Sequence, residues 1–416
     1  MRGIIHSHSP YSHDACDKHG LDANGKPDAT CTANLRRGIC DAAEDYVFLT
    51  DHAAHMADAE FPELLFLEPG DEPLLDAQGA PIANYIPCGD GRRVLVTVGN
   101  ENTFMSAGLE HHVPGDPAAR RAIYEGQDSA TADAMHQAGG LALIAHTESR
   151  DVAWLKSMPI DGIEVFNVHA AIDPDIRADY LGLDGYAAAA SILPFTRQDE
   201  DGPQPDFALL GFLEHLPVYG QKWDEMLAAR MITGTAGTDV HENTFAQILR
   251  DGERGDSYRR LMRWFSNIAL INGPVSPTTV KSAILAGRSY VAFEILGVPE
   301  GFDFHAESAG SIVEMGGEAA AGAVIVAKAP RVWNLDKAVE PPTISMRVLR
   351  IADGATTTAG EGDEVRLDPA KPGIYRVEVR IVPKHVRPYL GDQGDPFITE
   401  RPWIYSNPIR VLGDAP

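Results

Sequence analysis

Short apolar segments recur along the first 290 or so residues, and most of them end in a residue able to bind a metal ion. Helical stretches such as 129–137 and 278–286 separate these segments. Wholly apolar strands that alternate with helices are typical of a parallel sheet covered on both faces. The sequence therefore predicts an α/β barrel or a doubly wound sheet, with strands at 1–5, 46–50, 94–98, 141–145, 162–166 and 231–236.

Histidines and carboxylates occupy the ends of these strands. In a barrel, side chains at the C-terminal ends of different strands converge on one mouth. His6 and His8 follow the first strand at positions i and i+2, so both side chains are expected on one face. Taken alone, each histidine is more typical of a surface or hydrogen-bonded residue. Together they predict a site for divalent transition metals, and the set comprises His6, His8, His52, Glu101, His146, Asp239 and His241.

Charge and hydropathy exclude two classes of partner. The formal net charge is −25 and we find no basic stripe, whereas nucleic acid binding depends on clustered Lys and Arg. No apolar run approaches the roughly 20 residues that cross a bilayer. At 416 residues, one large barrel and a smaller module fit the length of the chain.

The pattern changes to alternating apolar and polar residues past Tyr290, and turn residues separate the alternating segments. That pattern predicts β-strands with one buried face. We therefore place a domain boundary near residue 297, with a barrel at 1–296 and a small all-β sandwich at 297–416. In contrast, the stretch 62–93 is rich in Pro, Gly and Asp, which predicts a long loop without regular elements. A loop of this length in a compact enzyme is expected to be functional, as a lid or a pocket wall.

The four cysteines all lie in the first 88 residues and none forms a CxxC motif, which disfavours a structural zinc site of that type. We expect at least one disulfide, between Cys16 and Cys31, although four free thiols in a cytosolic enzyme are an alternative. The abrupt opening on a core strand favours a processed periplasmic or secreted protein, with the cytoplasm as the alternative.

The strand-end motifs occur in an order that resembles the PHP family (polymerase and histidinol phosphatase). The resemblance spans roughly the first 290 residues, and it implies a distorted (β/α)7 barrel with up to three metal ions. Two later motifs, GRSYVAFE at 287–294 and RPWIYSNPI at 401–409, resemble a branch of the family with a C-terminal sandwich. The motifs in the barrel are HSHSPYSH at 6–13, LTDHA at 49–53, GNE at 99–101, AH at 145–146 and GTDVH at 237–241.

The resemblance also implies a ligand set for two or three divalent ions, which would be zinc, manganese or iron. Glu101 would bridge two of the ions. The residue that shares the second ion is either His111 or His112, and the neighbouring Val113–Pro114 favours His112 as a strand end. One ion would be held by His6, His8, Glu101 and Asp239, a second by Glu101, His146 and His111 or His112, and a third by His13, His52 and His241.

Such a centre predicts a metal-dependent phosphoesterase. Metal ions within bridging distance lower the pKa of a shared water and polarise a phosphoryl oxygen. Arg150 and His169 are candidates for binding the phosphate or protonating the leaving group, although each also fits a structural role. The expected substrate is a small-molecule phosphate ester. Ester or carbamate hydrolysis on the same centre is an alternative, and a metal-stabilised binding module is a further one.

Overall fold

The structure is a computed structural model that describes residues 1–413. The chain divides into two compact units, and each is described by itself. The first unit contains Met1–His169, Thr235–Ile248 and Glu253–Leu285, and the remaining residues form the second unit. The boundary near residue 297 falls within the second unit and stays a prediction.

The α-helices are short, and none of those in residues 1–413 is long and apolar enough to cross a membrane. The helices predicted at 129–137 and 278–286 are confirmed. A further helix, Ala29–Asp41, begins after Asp28, because the side chain of Asp28 accepts hydrogen bonds from the N–H groups of Thr30 and Cys31. In chain order the helices are α1 (Ala15–Lys18), α2 (Ala29–Asp41), α3 (Ala53–Met56), α4 (Pro117–Tyr124), α5 (Ser129–Gln137), α6 (Val152–Ser157), α7 (Val168–Ile172), α8 (Pro174–Asp179), α9 (Pro217–Leu227), α10 (Tyr258–Met262) and α11 (Pro277–Leu285).

The predicted apolar segments form strands. All six are confirmed, and they alternate with helices as the apolar pattern predicts. The strands that begin before residue 270 are β1 (Gly3–Ile4), β2 (Tyr46–His52), β3 (Glu72–Leu75), β4 (Pro81–Pro87), β5 (Arg93–Glu101), β6 (Met105–Leu109), β7 (Leu141–Ile144), β8 (Gly162–Asn167), β9 (Thr233–Gly237) and β10 (Ser266–Ala269).

The first unit is built on a barrel-like, mainly parallel sheet that is nearly closed. Its strand order is β1-β2-β5-β6-β7-β8-β9, and β1, β2 and β5 pair in parallel, as do β7 and β8. Strand β6 was not predicted, and it runs antiparallel to both neighbours. An isolated parallel bridge between Ser7 and Val240 joins the segments that follow β1 and β9. The carboxyl ends of the parallel strands therefore surround one mouth.

The interior of this sheet is apolar. Side chains from the strands and from α11 form a buried cluster, in which Phe48, Leu95 and Leu143 are 0% exposed. Removing apolar surface from water stabilises the folded state by roughly 25 cal/mol for each Å² that is buried. The packed interior fixes the strands and therefore the positions of the residues that follow them.

The prediction of no regular element at 62–93 was wrong. Strands β3 and β4 form an antiparallel hairpin, and β4 pairs with β5. Prolines at the two ends of β4 and within the outer strand β3 obscured the pattern, although proline is tolerated at strand ends and sheet edges. The side chain of Asp76 accepts hydrogen bonds from the N–H groups of Gln78 and Ala80 and holds the turn.

The disulfide predicted between Cys16 and Cys31 is confirmed. A second disulfide joins Cys40 to Cys88. The first closes the loop before α2, and the second connects the end of α2 to the segment that follows β4. Both restrain the part of the first unit that lies closest to its N-terminus in sequence.

The second unit contains separate antiparallel sheets. One has the order β11-β22-β21-β18-β19, with β23 pairing β21; a second has the order β14-β13-β16-β20; and β12 pairs with β17. Their strands are β11 (Ser289–Ala292), β12 (Pro299–Glu300), β13 (Asp303–Ser308), β14 (Ser311–Glu314), β15 (Glu318–Ala319), β16 (Val324–Lys328), β17 (Arg331–Val332), β18 (Thr343–Ala352), β19 (Ala355–Glu361), β20 (Glu364–Leu367), β21 (Gly373–Val382), β22 (Arg401–Ser406) and β23 (Ile409–Val411).

Candidate metal centre

Three buried side chains from the two ends of the barrel sheet meet at one point. His6 and His8 follow β1, and their Nε2 atoms lie 3.1 Å apart. The Oδ1 atom of Asp239, which follows β9, lies 3.2 Å from Nε2 of His6 and 3.1 Å from Nε2 of His8. Asp239 has a positive φ of 54°, and its N–H donates to the carbonyl of His6. The backbone thus turns the carboxylate toward the two imidazoles.

A second group surrounds the carboxylate of Glu101 at the end of β5. Its Oε2 atom lies 2.9 Å from Nδ1 of His52, and its Oε1 atom lies 3.7 Å from Nε2 of His146. The Nε2 atom of His146 also lies 3.1 Å from Oδ2 of Asp239. Glu101 and Asp239 therefore link the two groups of candidate metal ligands through His146.

A third group lies on the other side of His8. The rings of His8 and His241 stack with centroids 3.6 Å apart, and nitrogen atoms of His8, His52 and His241 lie within 4.8 Å of one another. His13, Asp14 and His52 form a further group with the same spacing. Asp14 was not singled out in the sequence, although it directly follows His13.

Several buried atoms at the centre lack a hydrogen-bond partner among residues 1–413. They are Nε2 of His241, Oδ1 of Asp14, and Oδ1 of Asp239, whose contacts with His6 and His8 lack hydrogen-bond geometry. A buried polar atom without a partner costs free energy. Neutral imidazole nitrogens and carboxylate oxygens are the ligands of divalent transition metals. The residues present therefore fit such ions.

Burial and the nearby charges shift the pKa values of the histidines in opposite directions. Burial acts to lower the pKa of His6, but attraction to Asp239 and Glu164 outweighs it and the pKa is raised. At His52, Glu101 likewise outweighs burial and raises the pKa to about 9. Burial lowers the pKa of His8, and it lowers the pKa of His241 to about 4. The neutral imidazoles of His8 and His241 suit metal binding.

Buried residues behind the ligands fix their orientation. Oε1 of Glu164 lies 2.7 Å from Nδ1 of His6, and its Oε2 accepts from the N–H of His146 and from Nδ2 of Asn167. Asp51 accepts from the N–H and the hydroxyl of Ser9, the residue after His8, at 2.5 and 2.6 Å. A carboxylate at the far nitrogen of an imidazole, as Glu164 is at His6, holds the ring in one tautomer. Glu164 lies within the strand predicted at 162–166 and has no role in the predicted ligand set, yet a lone carboxylate in a buried apolar strand requires a partner.

His111 and His112 are not part of these groups within residues 1–413. Nδ1 of His112 lies 3.1 Å from the hydroxyl of Tyr124, and its Nε2 lies 3.0 Å from the carbonyl oxygen of Ala59. Nδ1 of His111 lies 2.8 Å from the carbonyl oxygen of His112. Both nitrogens of His112 are thus occupied by protein groups, and the ligand role assigned to one of this pair stays a prediction.

The two candidate substrate-binding residues have different positions. His169 is the second residue of α7, just after β8, and it forms a group with Asp239 and His241 whose candidate ligand atoms lie within 4.8 Å of one another. Its ring also contacts His146 edge-on. Arg150 ends the short helical turn that follows His146 and is partly buried. The structure thus joins His169 to the candidate centre and places Arg150 four residues beyond His146, a candidate ligand.

No protein-family model matches the chain, and no curated protein matches it. Among solved structures, the chain is similar to the crystal structure of PsfC from Pseudomonas syringae PB-5123, with 14% sequence identity. The match covers 68% of this chain and 87% of that chain, with a TM-score of 0.35. A likeness at this level carries no conclusion about fold or function.

Proposed function

We propose that the chain is a metal-dependent hydrolase of the PHP type that cleaves phosphate esters with two or three divalent transition metal ions. In this proposal the nearly closed sheet of the first unit is a distorted (β/α)7 barrel, and the antiparallel sheets of the second unit form a sandwich. One observation carries the proposal: overlapping groups of histidines and carboxylates meet at one mouth and share His8 and Asp239.

The charges of this mouth favour an anionic substrate. Divalent ions, when bound, lower the pKa of a water molecule and offset charge that develops on a phosphoryl oxygen. Glu101 and Asp239 link the groups, and Asp14 adds one further carboxylate. Histidines supply most of the other ligand atoms and are neutral as ligands, so that two or three dications leave the site cationic in spite of the acidic surface.

His169 and Arg150 have separate roles in this proposal. His169 faces the centre without a place in the predicted ligand set, so its imidazole is positioned to give a proton to the leaving group. Arg150 supplies a fixed positive charge for phosphate oxygens, which a guanidinium binds in a bidentate manner. These roles separate substrate binding from metal binding.

Activity on a panel of chromogenic phosphate mono-, di- and triesters and carboxyl esters, with zinc, manganese or iron, tests the proposal. We expect phosphate ester turnover to exceed carboxyl ester turnover and to disappear with a chelator. Arg150→Ala should raise KM for phosphates without changing metal content, whereas the exposed Arg37→Ala serves as a matched control. Faster turnover of carboxyl esters or carbamates, with Arg150→Ala indifferent, would establish the alternative hydrolase. Full metal content without any hydrolysis would favour a binding module.

A further inference from the structure

The second unit contains a cavity of about 840 Å³, within the range of small-molecule sites. Leu183, Pro194 and Phe397 contribute apolar surface to its wall, and Arg177 and Arg401 are also among the residues that line it. All of the residues around this cavity belong to the second unit. The cavity therefore combines apolar walls with two cationic side chains.

Arg401 begins the RPWIYSNPI motif, which the proposed hydrolase function leaves without a role. Other polar side chains of the motif have structural partners within the second unit. Nε1 of Trp403 donates to the carbonyl of Gly297, the hydroxyl of Ser406 accepts from the N–H of Val377, and Nδ2 of Asn407 donates to Ser289. Arg401 is the residue of this motif whose polar groups are incompletely used.

The guanidinium of Arg401 is buried and forms no direct ion pair with any carboxylate of residues 1–413. The residue is 6% exposed, Nη1 donates to the carbonyl of Leu213 at 2.8 Å, and Nε has no hydrogen-bond partner among residues 1–413. Burial lowers the pKa of Arg401. By contrast, the buried Arg177 pairs with Glu214 at 3.1 Å and the buried Arg376 pairs with Asp224 at 2.6 Å. A buried charge without an ion pair is costly, and an anion bound beside Arg401 would offset that cost.

The carboxylates around the cavity do not fill that need, because each already has a partner. Glu214 attracts Arg401 but forms its ion pair with Arg177. The others are held elsewhere: Asp184 accepts from the N–H groups of Tyr186 and Ala187, Asp392 pairs with Arg197, and Asp395 pairs with Arg387.

We propose that this cavity binds a small organic anion. Its carboxylate or phosphate headgroup pairs with Arg401, and its apolar body lies against Leu183, Pro194 and Phe397. A guanidinium presents donors in a planar fork that matches both headgroups. This site goes beyond the proposed hydrolase function, because none of the candidate metal ligands or substrate-binding residues lines it.

Titration of the full chain with 1-anilinonaphthalene-8-sulfonate, a fluorescent anion with an apolar body, tests the site. We expect one saturable binding site in the wild type. Arg401→Met removes the charge and retains much of the side-chain volume, so it should weaken binding tenfold or more. Ala190→Trp places a large side chain in the cavity and should have the same effect. Arg331→Met, which removes an exposed arginine of the same unit, should leave the affinity within twofold.

Competition then identifies the headgroup. Benzoate and phenyl phosphate should displace the dye, whereas uncharged benzyl alcohol should not, and the stronger of the two anions gives the class. Thermal unfolding of each variant checks the fold, and Ala190→Trp keeps the test valid if Arg401→Met is unstable. No saturable binding by the wild type, or an affinity unchanged in Ala190→Trp, overturns the proposal. Equal displacement by benzyl alcohol overturns the role of the charge.

Discussion

The Nδ1 atom of His6 lies 2.7 Å from Oε1 of Glu164, and both side chains are fully buried. This contact leaves Nε2 of His6 directed toward Asp239, 3.2 Å away. Hydrogen bonds to the far nitrogen of an imidazole fix its tautomer and orientation. The carboxylate of Glu164 thus fixes the orientation of His6 in the way that the proposed metal centre requires.

Glu164→Gln should weaken metal binding by about 10- to 100-fold, the usual effect of losing an outer partner of a ligand. The substitution keeps the shape but removes the charge that faces His6. Equilibrium dialysis against zinc or manganese measures the affinity directly, and Glu125→Gln, on the end of α4, is a matched control. An unchanged affinity would show that Glu164 only fills space.

Gly237→Ala should disturb the same pair sterically. A Cβ atom at this position would lie 2.0 Å from Oε1 of Glu164 and 2.8 Å from Nδ1 of His6. Forcing extra volume into a packed interior costs roughly 1–3 kcal/mol, so we expect a lower free energy of unfolding and reduced metal content. Gly89→Ala, where a Cβ has open space, should change neither. Wild-type metal content in Gly237→Ala would contradict the close packing.

Removal of metal by a chelator should lower the melting temperature. Ions that bind only the folded state stabilise it by RT ln(1 + [L]/Kd), about 2.7 kcal/mol at one hundred times Kd. In Asp239→Asn the carboxylate between His6, His8 and His146 is lost, so the melting temperature should no longer depend on metal. Differential scanning calorimetry with and without chelator measures both. An equal metal-induced shift in wild type and Asp239→Asn would place the ions elsewhere.

Stability should depend on pH through His136, away from the metal centre. Its Nε2 lies 2.8 Å from Oδ2 of Asp161, and this hydrogen bond raises the pKa of His136. A raised folded-state pKa contributes stability that is complete below the unfolded value of about 6.5 and is lost as pH rises through the folded value. In His136→Asn the melting temperature should therefore change less with pH across this window. The difference should be small because the pair is partly exposed. His19→Asn is the control, and an identical pH profile in His136→Asn would contradict the assignment.

In the second unit, Arg376→Met should be strongly destabilising. The guanidinium donates to Asp224 at 2.6 and 3.0 Å and to Glu378 at 2.7 Å, and all three side chains are buried. Removing one member of such a network leaves buried charges unpaired and costs about 3–5 kcal/mol. Urea unfolding measures the loss, and the exposed Arg331→Met is the control. Replacing all three residues with apolar ones should restore much of the stability; equal losses in the single and triple variants would contradict the electrostatic cause.

Much of the candidate site could be predicted from the sequence, because its residues directly follow apolar strands. The strands of the barrel sheet are apolar throughout, so a histidine or carboxylate just after them stands out, as at His52, Glu101 and His146. The position of a residue after a strand could not decide between His111 and His112, because local sequence does not show contacts with residues far away in the chain. His112 lies against Ala59 and Tyr124 instead.

Residues that act from within a strand escaped prediction for a related reason. Glu164 interrupts the apolar segment Gly162–Asn167, and only the fold brings His6, 158 positions away, to its carboxylate. The β3–β4 hairpin was missed because a proline-rich stretch usually indicates a loop. Here the prolines lie at strand ends and at the sheet edge, where strands tolerate them. Local patterns thus predicted the strands, and the partners between strands required the structure.

The closure of the barrel sheet has a consequence for the timing of biosynthesis. Thr238 donates to the carbonyl of His6 across 232 positions of the chain, and Asp239 completes the first ligand group beside it. A nascent polypeptide therefore carries its first histidines out of the ribosome long before their carboxylate partner has been translated. In the proposed centre, the complete ligand set exists only in a chain that has been extended past His241, and the earliest histidines remain without their final partners throughout that interval.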